Sequence, residues 1–268
     1  MSRTFGWSLL TIAARRTTLS GGTSASLPPV VSPIGILNCS GQYSALRFLY
    51  SCGIAALVPP NDARIAAVET TRGRIATRLV VDAAGGRARD VALLAGVAIP
   101  TRTQCWEALV TESVRPFLRP GVALVAQLGY CHQTTRGEFV GGTEIRGAIP
   151  RDTMRTTLEG LRDAAQKFVR AFPLLGGVRV LRQWAGIVDV SPDFAPILGR
   201  APWVDGLWLD CGWADGFMGA PGAAELLAEA IAESRTPPLL APFGVERFAE
   251  GRLIAEASLV VAADEPRP

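Results

Sequence analysis

The stretch from Leu209 to Ile231, LDCGWADGFMGAPGAAELLAEAI, carries the residues whose types and spacing could do chemistry. An apolar strand end runs into a turn of small residues holding Trp213 and Asp215, and an Ala/Leu/Glu helix follows. Gly212, Gly216, Gly219 and Gly222 strip side chains from the main chain where that helix starts. Bare amides and the positive end of a helix dipole together suit a flat or anionic ligand. Other chemistries are poorly supplied. His132 is the only histidine, and the five cysteines (Cys39, Cys52, Cys105, Cys131, Cys211) form no C-x-x-C pair, so no metal site is expected. No G-x-S-x-G elbow and no P-loop occurs, which argues against a nucleophilic hydrolase and against phosphoryl transfer.

The elements that must position this turn are legible from Arg64 onward. RIAAVET and RIATRLVVDAAGG are β-rich runs separated by TRG, a hairpin signal, and VVDAAGG looks like a buried strand entering a glycine turn. RARDVALLAGV has helical spacing behind that turn. WEALVTE, VALVAQL, YCHQTT and EFVGGTE then alternate as short strands of an antiparallel or mixed sheet. RDTMRTTLEGLRDAAQKFVRAFP predicts a helix opening at Asp152, with Met154, Leu158, Leu161, Ala165, Phe168 and Val169 on its apolar side and Pro173 beyond its end. VRVLRQWAGIVDV returns to strand, SPDFAPILG reads as a proline-punctuated loop, GLWLDCG as a strand, and Ala223 to Ser234 as the closing helix. No repeat of solenoid or propeller length is present, so the expected class is α+β or mixed α/β.

With 268 residues, 49% of them hydrophobic and 19% charged, the chain can build one large domain or two smaller ones. A net charge of +3, without any Lys/Arg run, makes nucleic acid an unexpected partner. Positive charge is almost wholly arginine, Lys167 being the one lysine, which suggests a GC-rich, bacterial genome. No apolar run reaches the ~20 residues of a membrane helix, and scattered thiols suit a reducing compartment, so a cytoplasmic location is expected. Before Asp62 there is no acidic residue, and SGGTSASLPPVVSP is rich in Ser, Thr, Pro and Gly, a bias shared by transit peptides and by out-of-frame translation of GC-rich DNA.

VVDAAGG, RGEFVGG, RQWAGIVDVSPDFAPILG, LDCGWADGFMGAPGAAELLAEAI and APFGVERF, in that order over about Arg64 to Phe248, resemble the FAD-dependent amine and amino-acid oxidoreductases of the D-amino-acid oxidase superfamily. Within it the likeness is to sarcosine oxidase β subunits and to proline or hydroxyproline dehydrogenases. The resemblance implies a partial FAD-binding domain (63–100 and 179–250) and a substrate domain (101–178) with a mixed or antiparallel sheet and helices. Residues 1–62 would be an atypical segment and 251–268 a tail. It implies FAD as cofactor, held by Ala83, Ala84, Gly85, Gly86, Pro196, Gly199 and the turn Gly212, Trp213, Ala214, Asp215, Gly216, Phe217 and Met218. A lysine often found near that turn in the family is here Met218. Because negative charge gathers on one edge of a reduced flavin, amides ahead of the last helix would steady it.

The implied reaction is oxidation of a C–N bond in a secondary amine or amino acid, such as sarcosine, proline or a D-amino acid. A substrate carboxylate calls for a guanidinium, for which Arg136, Arg182 and Arg102 are candidates, with Arg136 foremost because it lies near His132. His132 could orient the substrate or take a proton from the amine. Trp184 and Trp213 could wall the pocket, while Asp189 and Asp193 read as turn-bonding residues. The sarcosine oxidase likeness implies a hetero-oligomer with other subunits. One departure stands out: no G-x-G-x-x-G follows a buried strand, and SGGTSAS at Ser20 to Ser26 is a poor substitute. The alternative reading is therefore a truncated, cofactor-less remnant or a non-catalytic structural subunit.

Overall fold

In the computed structural model the described residues are 10–13, 30–31, 34–37, 47–49, 53–58, 63–124, 129–144, 153–214 and 216–254. SGGTSAS, Asp152, Asp215 and most of the atypical N-terminal segment lie outside them. The chain forms two compact units, one of residues 1–102 and 189–255, the other of residues 103–188 and 256–268.

The first unit contains a six-stranded sheet and a four-stranded sheet among the described residues. The larger has strands β1 (Leu10–Ala13), β3 (Ile34–Leu37), β4 (Arg47–Leu49), β8 (Leu79–Asp82), β14 (Ile197–Arg200) and β15 (Leu207–Cys211), in the order β14-β15-β8-β1-β3-β4. β15 runs parallel to β8, whereas β1 and β14 run antiparallel to their neighbours β8 and β15. The smaller sheet has the order β2-β5-β6-β7, with β2 Val30–Val31, β5 Gly53–Val58, β6 Ala67–Thr70 and β7 Gly73–Ala76. β6 and β7 form the hairpin expected from TRG.

The alternation of strand side chains explains why β8 and β15 are apolar on both faces. Val80, Leu207, Leu209 and Cys211 join a core with Ile54, Leu57, Val68 and Ile75 and with Ala88, Val91 and Ala92 of helix α1 (Ala88–Leu94). Val81 and Trp208 face the other way, against Ala223, Leu227 and Ala230 of helix α3 (Gly216–Glu233). Helix α3 starts earlier than the expected Ala223 and runs through Pro221. Lying so near the start, that proline forfeits few helical hydrogen bonds. Part of SPDFAPILG is strand β14 rather than loop, because Ile197 and Leu198 each enter one of the two cores.

The second unit holds a five-stranded sheet in the order β10-β11-β12-β9-β13, antiparallel from β10 through β9, with a helix on one face. Its strands are β9 (Arg102–Ser113), β10 (Val122–Leu124), β11 (Gly129–Gln133), β12 (Glu138–Thr143) and β13 (Val180–Val190). Strands β9 and β13 are the ones that continue between the units. Helix α2 is Leu158–Ala171, shorter than its periodicity predicts. Thr157 caps it: its hydroxyl accepts from the Gly160 amide at 2.9 Å, and the buried Glu107 carboxylate accepts the Thr157 amide at 2.8 Å. That cap stops the helix short of residues 153–156, where threonines compete with the helical backbone. The buried face is also rotated from the expected one: Gly160, Ala164 and Phe168 face inward, while Met154, Leu158 and Val169 are exposed. Gly160 is needed there, since a Cβ would stand 2.5 Å from a Glu107 oxygen.

Candidate functional site

The parallel pairing of β8 with β15 sends the chain out of both strands at the same end of the sheet, where α/β folds receive ligands. Ala83 to Gly86 leave β8 there and Gly212 to Met218 leave β15. Pro196, buried, precedes Ile197, which pairs with Cys211, so it stands at that end too. Gly199 pairs with Leu209, two positions into the sheet.

Three segments converge on Gly212. A Cβ there would stand 3.2 Å from Ser191 Cβ, 3.3 Å from Ile197 and 3.4 Å from Thr101, and its φ of +71° is itself one that favours glycine. The space beside this α-carbon is therefore filled by the protein. The turn also holds an anion of its own. The buried Asp189 carboxylate accepts the Gly212 amide in a short hydrogen bond, and the Asp189 carbonyl accepts the Ala214 amide at 2.9 Å. A bridge between Val190 and Trp213 completes the connection. Ala214 is held at φ +51°, a conformation that needs such support in a residue other than glycine.

These contacts correct the reading of the glycines. Two of the amides expected to face a ligand, those of Gly212 and Ala214, bond to Asp189. Gly216 and Gly219 make room for the Trp213 side chain: a Cβ at Gly216 would stand 3.0 Å from Trp213 Cβ, and one at Gly219 would stand 2.6 Å from an indole carbon. The indole nitrogen donates to Asp210 at 2.6 Å, so Trp213 is tied down beside the first turn of α3. The amides of that first turn have no partner within the helix. Phe217 and Met218 are exposed there, at 97% and 74%. On the β8 side Ala84 is fully buried in the core and donates its amide to Asp82 at 3.2 Å, leaving Ala83 and Gly85 half-buried.

Asp82 and Thr101 supply a different signal. Both side chains are buried, and Asp82 Oδ2 and Thr101 Oγ1 have no hydrogen-bond partner. Buried polar atoms are paired almost without exception, so each of these two atoms marks a place where a polar group from outside the chain would bond. Burial pushes the Asp82 carboxyl well above the usual range, and the nearby carboxylates Asp189 and Asp210 add to the shift after the opposing Ala84 amide. Burial also raises Asp189 and Asp210, and it raises the Cys211 thiol far above its ordinary value. First-turn amides of α3 that have no partner within the helix, small residues after β8 and these orphaned polar atoms fit an elongated cofactor carrying both a flat ring and polar groups.

The loop from Ser191 to Pro196 is held from beneath by a residue absent from the sequence-based candidates. Arg247, with both ion-pair side chains wholly buried, donates to Asp193 through Nε and Nη2 at 2.8 Å each. It also donates to the carbonyls of Phe243 and Ala195 at 2.8 and 2.9 Å. Asp193 further accepts the Ile254 amide at 3.0 Å and the Ser191 hydroxyl at 3.0 Å. Burial alone would raise Asp193, but the Arg247 hydrogen bonds and the Ile254 amide outweigh it and hold the carboxyl below the usual value. The only advance sign of this arginine is its place between Glu246 and Phe248 in APFGVERF.

His132 and Arg136 belong to the second unit. His132 is exposed on the face of β11 opposite Cys131, which packs under α2. Arg136 lies in the β11–β12 turn, 82% exposed, and pairs with Glu138 at 3.3 Å. Arg182 is exposed on β13.

Residues 44–230 match the family of FAD dependent oxidoreductases known as DAO. The chain is 34% identical over 199 residues to the sarcosine oxidase subunit beta of Rhodobacter capsulatus, covering 72% of this chain and 46% of that one. It is 28% identical to the glycine oxidase of Pseudomonas putida, over 75% of this chain and 53% of the relative. Among solved structures, L-proline dehydrogenase from P. horikoshii superposes with a TM-score of 0.71 at 28% identity, covering 77% of this chain and 56% of that one. The chain thus spans about half the length of the sarcosine oxidase β subunits it matches, 46 to 53%. Mixed helices and sheets, loops gathered at the ends of two parallel strands and a match over most of the chain lead to one assignment: this protein belongs to the DAO family of FAD-dependent oxidoreductases.

Proposed function

We propose that this chain serves as an FAD-dependent oxidoreductase, or a subunit of one, oxidising the C–N bond of a secondary amine or amino acid. The observation that carries the reading is the pair of small-residue loops leaving the parallel strands β8 and β15 at the same end of the sheet, in a chain of this family. Bound FAD would accept the hydride leaving the carbon next to nitrogen. The protein's own part is positional and electrostatic. The first-turn amides of α3 offer positive potential to an electron-rich ring edge. Asp189 and the Trp213–Asp210 bond hold the turn so that those amides need no rearrangement when charge develops. Ala83, Gly85, Gly86, Pro196 and Gly199 would line the cofactor, and the Asp82 carboxyl and Thr101 hydroxyl would hydrogen-bond to it.

On the substrate side, His132 would take the proton from the amine. Arg136 could serve a substrate carboxylate only by exchanging Glu138 for it. The names of the relatives point to sarcosine, glycine or proline as substrate class. Because the matching sarcosine oxidase chains are β subunits, work in a hetero-oligomer is part of the proposal. So is a cytoplasmic location, in keeping with buried thiols at Cys131 and Cys211 that form no disulfide; no helix among the described residues is long and apolar enough to cross a membrane.

The test is optical. The purified chain should be yellow, and sarcosine, glycine or L-proline added without oxygen should bleach its visible flavin bands. A protein that stays colourless after reconstitution with FAD overturns the proposal and leaves the non-catalytic reading in its place.

A further inference from the structure

Asp82 closes strand β8 at the end of the sheet where the chain also leaves β15, and it pairs there with Leu209. Its carboxyl is wholly buried. Oδ1 accepts the Ala84 amide at 3.2 Å, and Oδ2 has no partner. No arginine or lysine bonds to it among the described residues, although the same unit gives the buried Asp193 a full partner in Arg247. The charged groups that face Asp82 are carboxylates from three other elements: Asp189 of β13, Asp210 of β15 and Asp90 of α1, the last paired with Arg87 at 3.3 Å. Cys211 of β15, the other titratable neighbour, is kept a neutral thiol by its own burial. An ionised Asp82 would thus hold a buried negative charge among like charges with one amide donor to meet it. Burial is the largest influence on this carboxyl and lifts it well above the usual carboxylate range, with the neighbouring carboxylates adding to the shift against the Ala84 amide.

The protonation state decides what the orphaned oxygen needs. A carboxylate oxygen calls for a donor, whereas the acid offers an O–H and calls for an acceptor. We infer, resting on the flavoprotein reading, that Asp82 meets bound FAD as an undissociated acid whose Oδ2–H donates to an acceptor atom of the cofactor, so that the grip loosens as the medium turns alkaline. A ligand that needs the proton on Asp82 binds the protonated chain. Its affinity is therefore complete at low pH and falls as pH climbs through the value at which Asp82 of the free chain ionises, by about tenfold per pH unit beyond it. Asparagine is the natural control: its carbonyl oxygen still accepts the Ala84 amide, its N–H replaces the O–H, and it has no proton to lose.

The experiment titrates FAD into the full chain, freed of flavin, and follows flavin fluorescence from about pH 5 to 9, with Asp82→Asn and Asp82→Ala run alongside. Relative to Asp82→Asn, the unsubstituted chain should lose at least about tenfold in affinity over that range. Asp82→Ala has no donor at any pH and should bind about 5- to 30-fold more weakly than Asp82→Asn even at the acid end. An infrared spectrum gives a reading that does not involve flavin. At about pH 6, where an ordinary aspartate is ionised, the unsubstituted chain should show the carbonyl stretch of one more protonated carboxyl than Asp82→Asn does. If the unsubstituted chain and Asp82→Asn bind FAD with the same pH profile, or if the substitution leaves that infrared band unchanged, the inference fails while the flavin reading stands. Absence of FAD uptake by all three chains at every pH overturns both.

Discussion

Both units carry exposed ion pairs, but among the described residues the ion pair with both side chains wholly enclosed lies in the first unit. In the second unit the ion pairs Glu112–Arg179 and Glu138–Arg136 lie at the surface, and the buried carboxylate of Glu107 is consumed by structure: Thr157 and Gln183 donate to it, fastening helix α2 to β9. In the first unit, beside exposed pairs such as Arg64–Asp205 and Arg74–Glu69, some charge lies deep. Arg247 and Asp193 are wholly enclosed, Asp189 ties down a turn, and Asp82 keeps an oxygen without a partner. Burying charge is expensive, so a fold concentrates it where geometry must be held or a ligand met. The contrast marks the loops around Asp193 and Gly212 as a place where buried charge fixes geometry.

The sharpest way to break that contrast is to open the buried lock. Arg247→Met leaves Asp193 enclosed without its cation and should cost about 3–5 kcal/mol in chemical denaturation. The matching change in the exposed pair, Arg179→Met, should leave the unfolding midpoint where it was. Equal effects from the two would erase the distinction.

A second probe turns on pH. Burial raises the folded-state pKa of Asp82 above its unfolded value, so the folded chain binds more protons than the unfolded one between those values. Stability contributed by the protonated form is complete below the unfolded value, near 3.8, and is lost as pH climbs toward the raised folded value. Asp82→Asn cannot ionise. Unfolding curves of the two proteins should converge in acid and separate above about pH 4, with the Asn variant the more stable at neutral pH. Parallel curves at every pH would show that Asp82 is not burdened as its burial implies.

The smallest effect belongs to the second unit. Thr157→Val keeps the shape but loses the cap on α2, and should cost about 1 kcal/mol of stability in chemical denaturation. An unchanged unfolding midpoint would show that the cap does not hold the helix.

Much of the scaffold was readable in advance. The β6–β7 hairpin, the strand–turn–helix at VVDAAGG and the final strand and helix follow from local signals: TRG between β-rich runs, apolar text ending in glycine, and Ala/Leu spacing. The start of α2 was not, because it depends on Glu107, 50 residues away, accepting from Thr157. SPDFAPILG hid a strand for a similar reason, since β14 exists only beside β15.

The site divides along the same line. Residue types pointed to the Gly212 turn, and the family resemblance added the segments around Ala83 and Pro196, because small residues at a strand-to-helix turn need only local geometry to be recognised. What occupies those turns was a tertiary matter. That Asp189 takes the amides of Gly212 and Ala214, that Gly216 and Gly219 clear space for Trp213, and that Arg247 reaches across 54 residues to Asp193 all depend on contacts between chain-distant atoms. Local propensity is written residue by residue; the pairing of buried charges is decided only when the chain closes on itself and removes water from both partners.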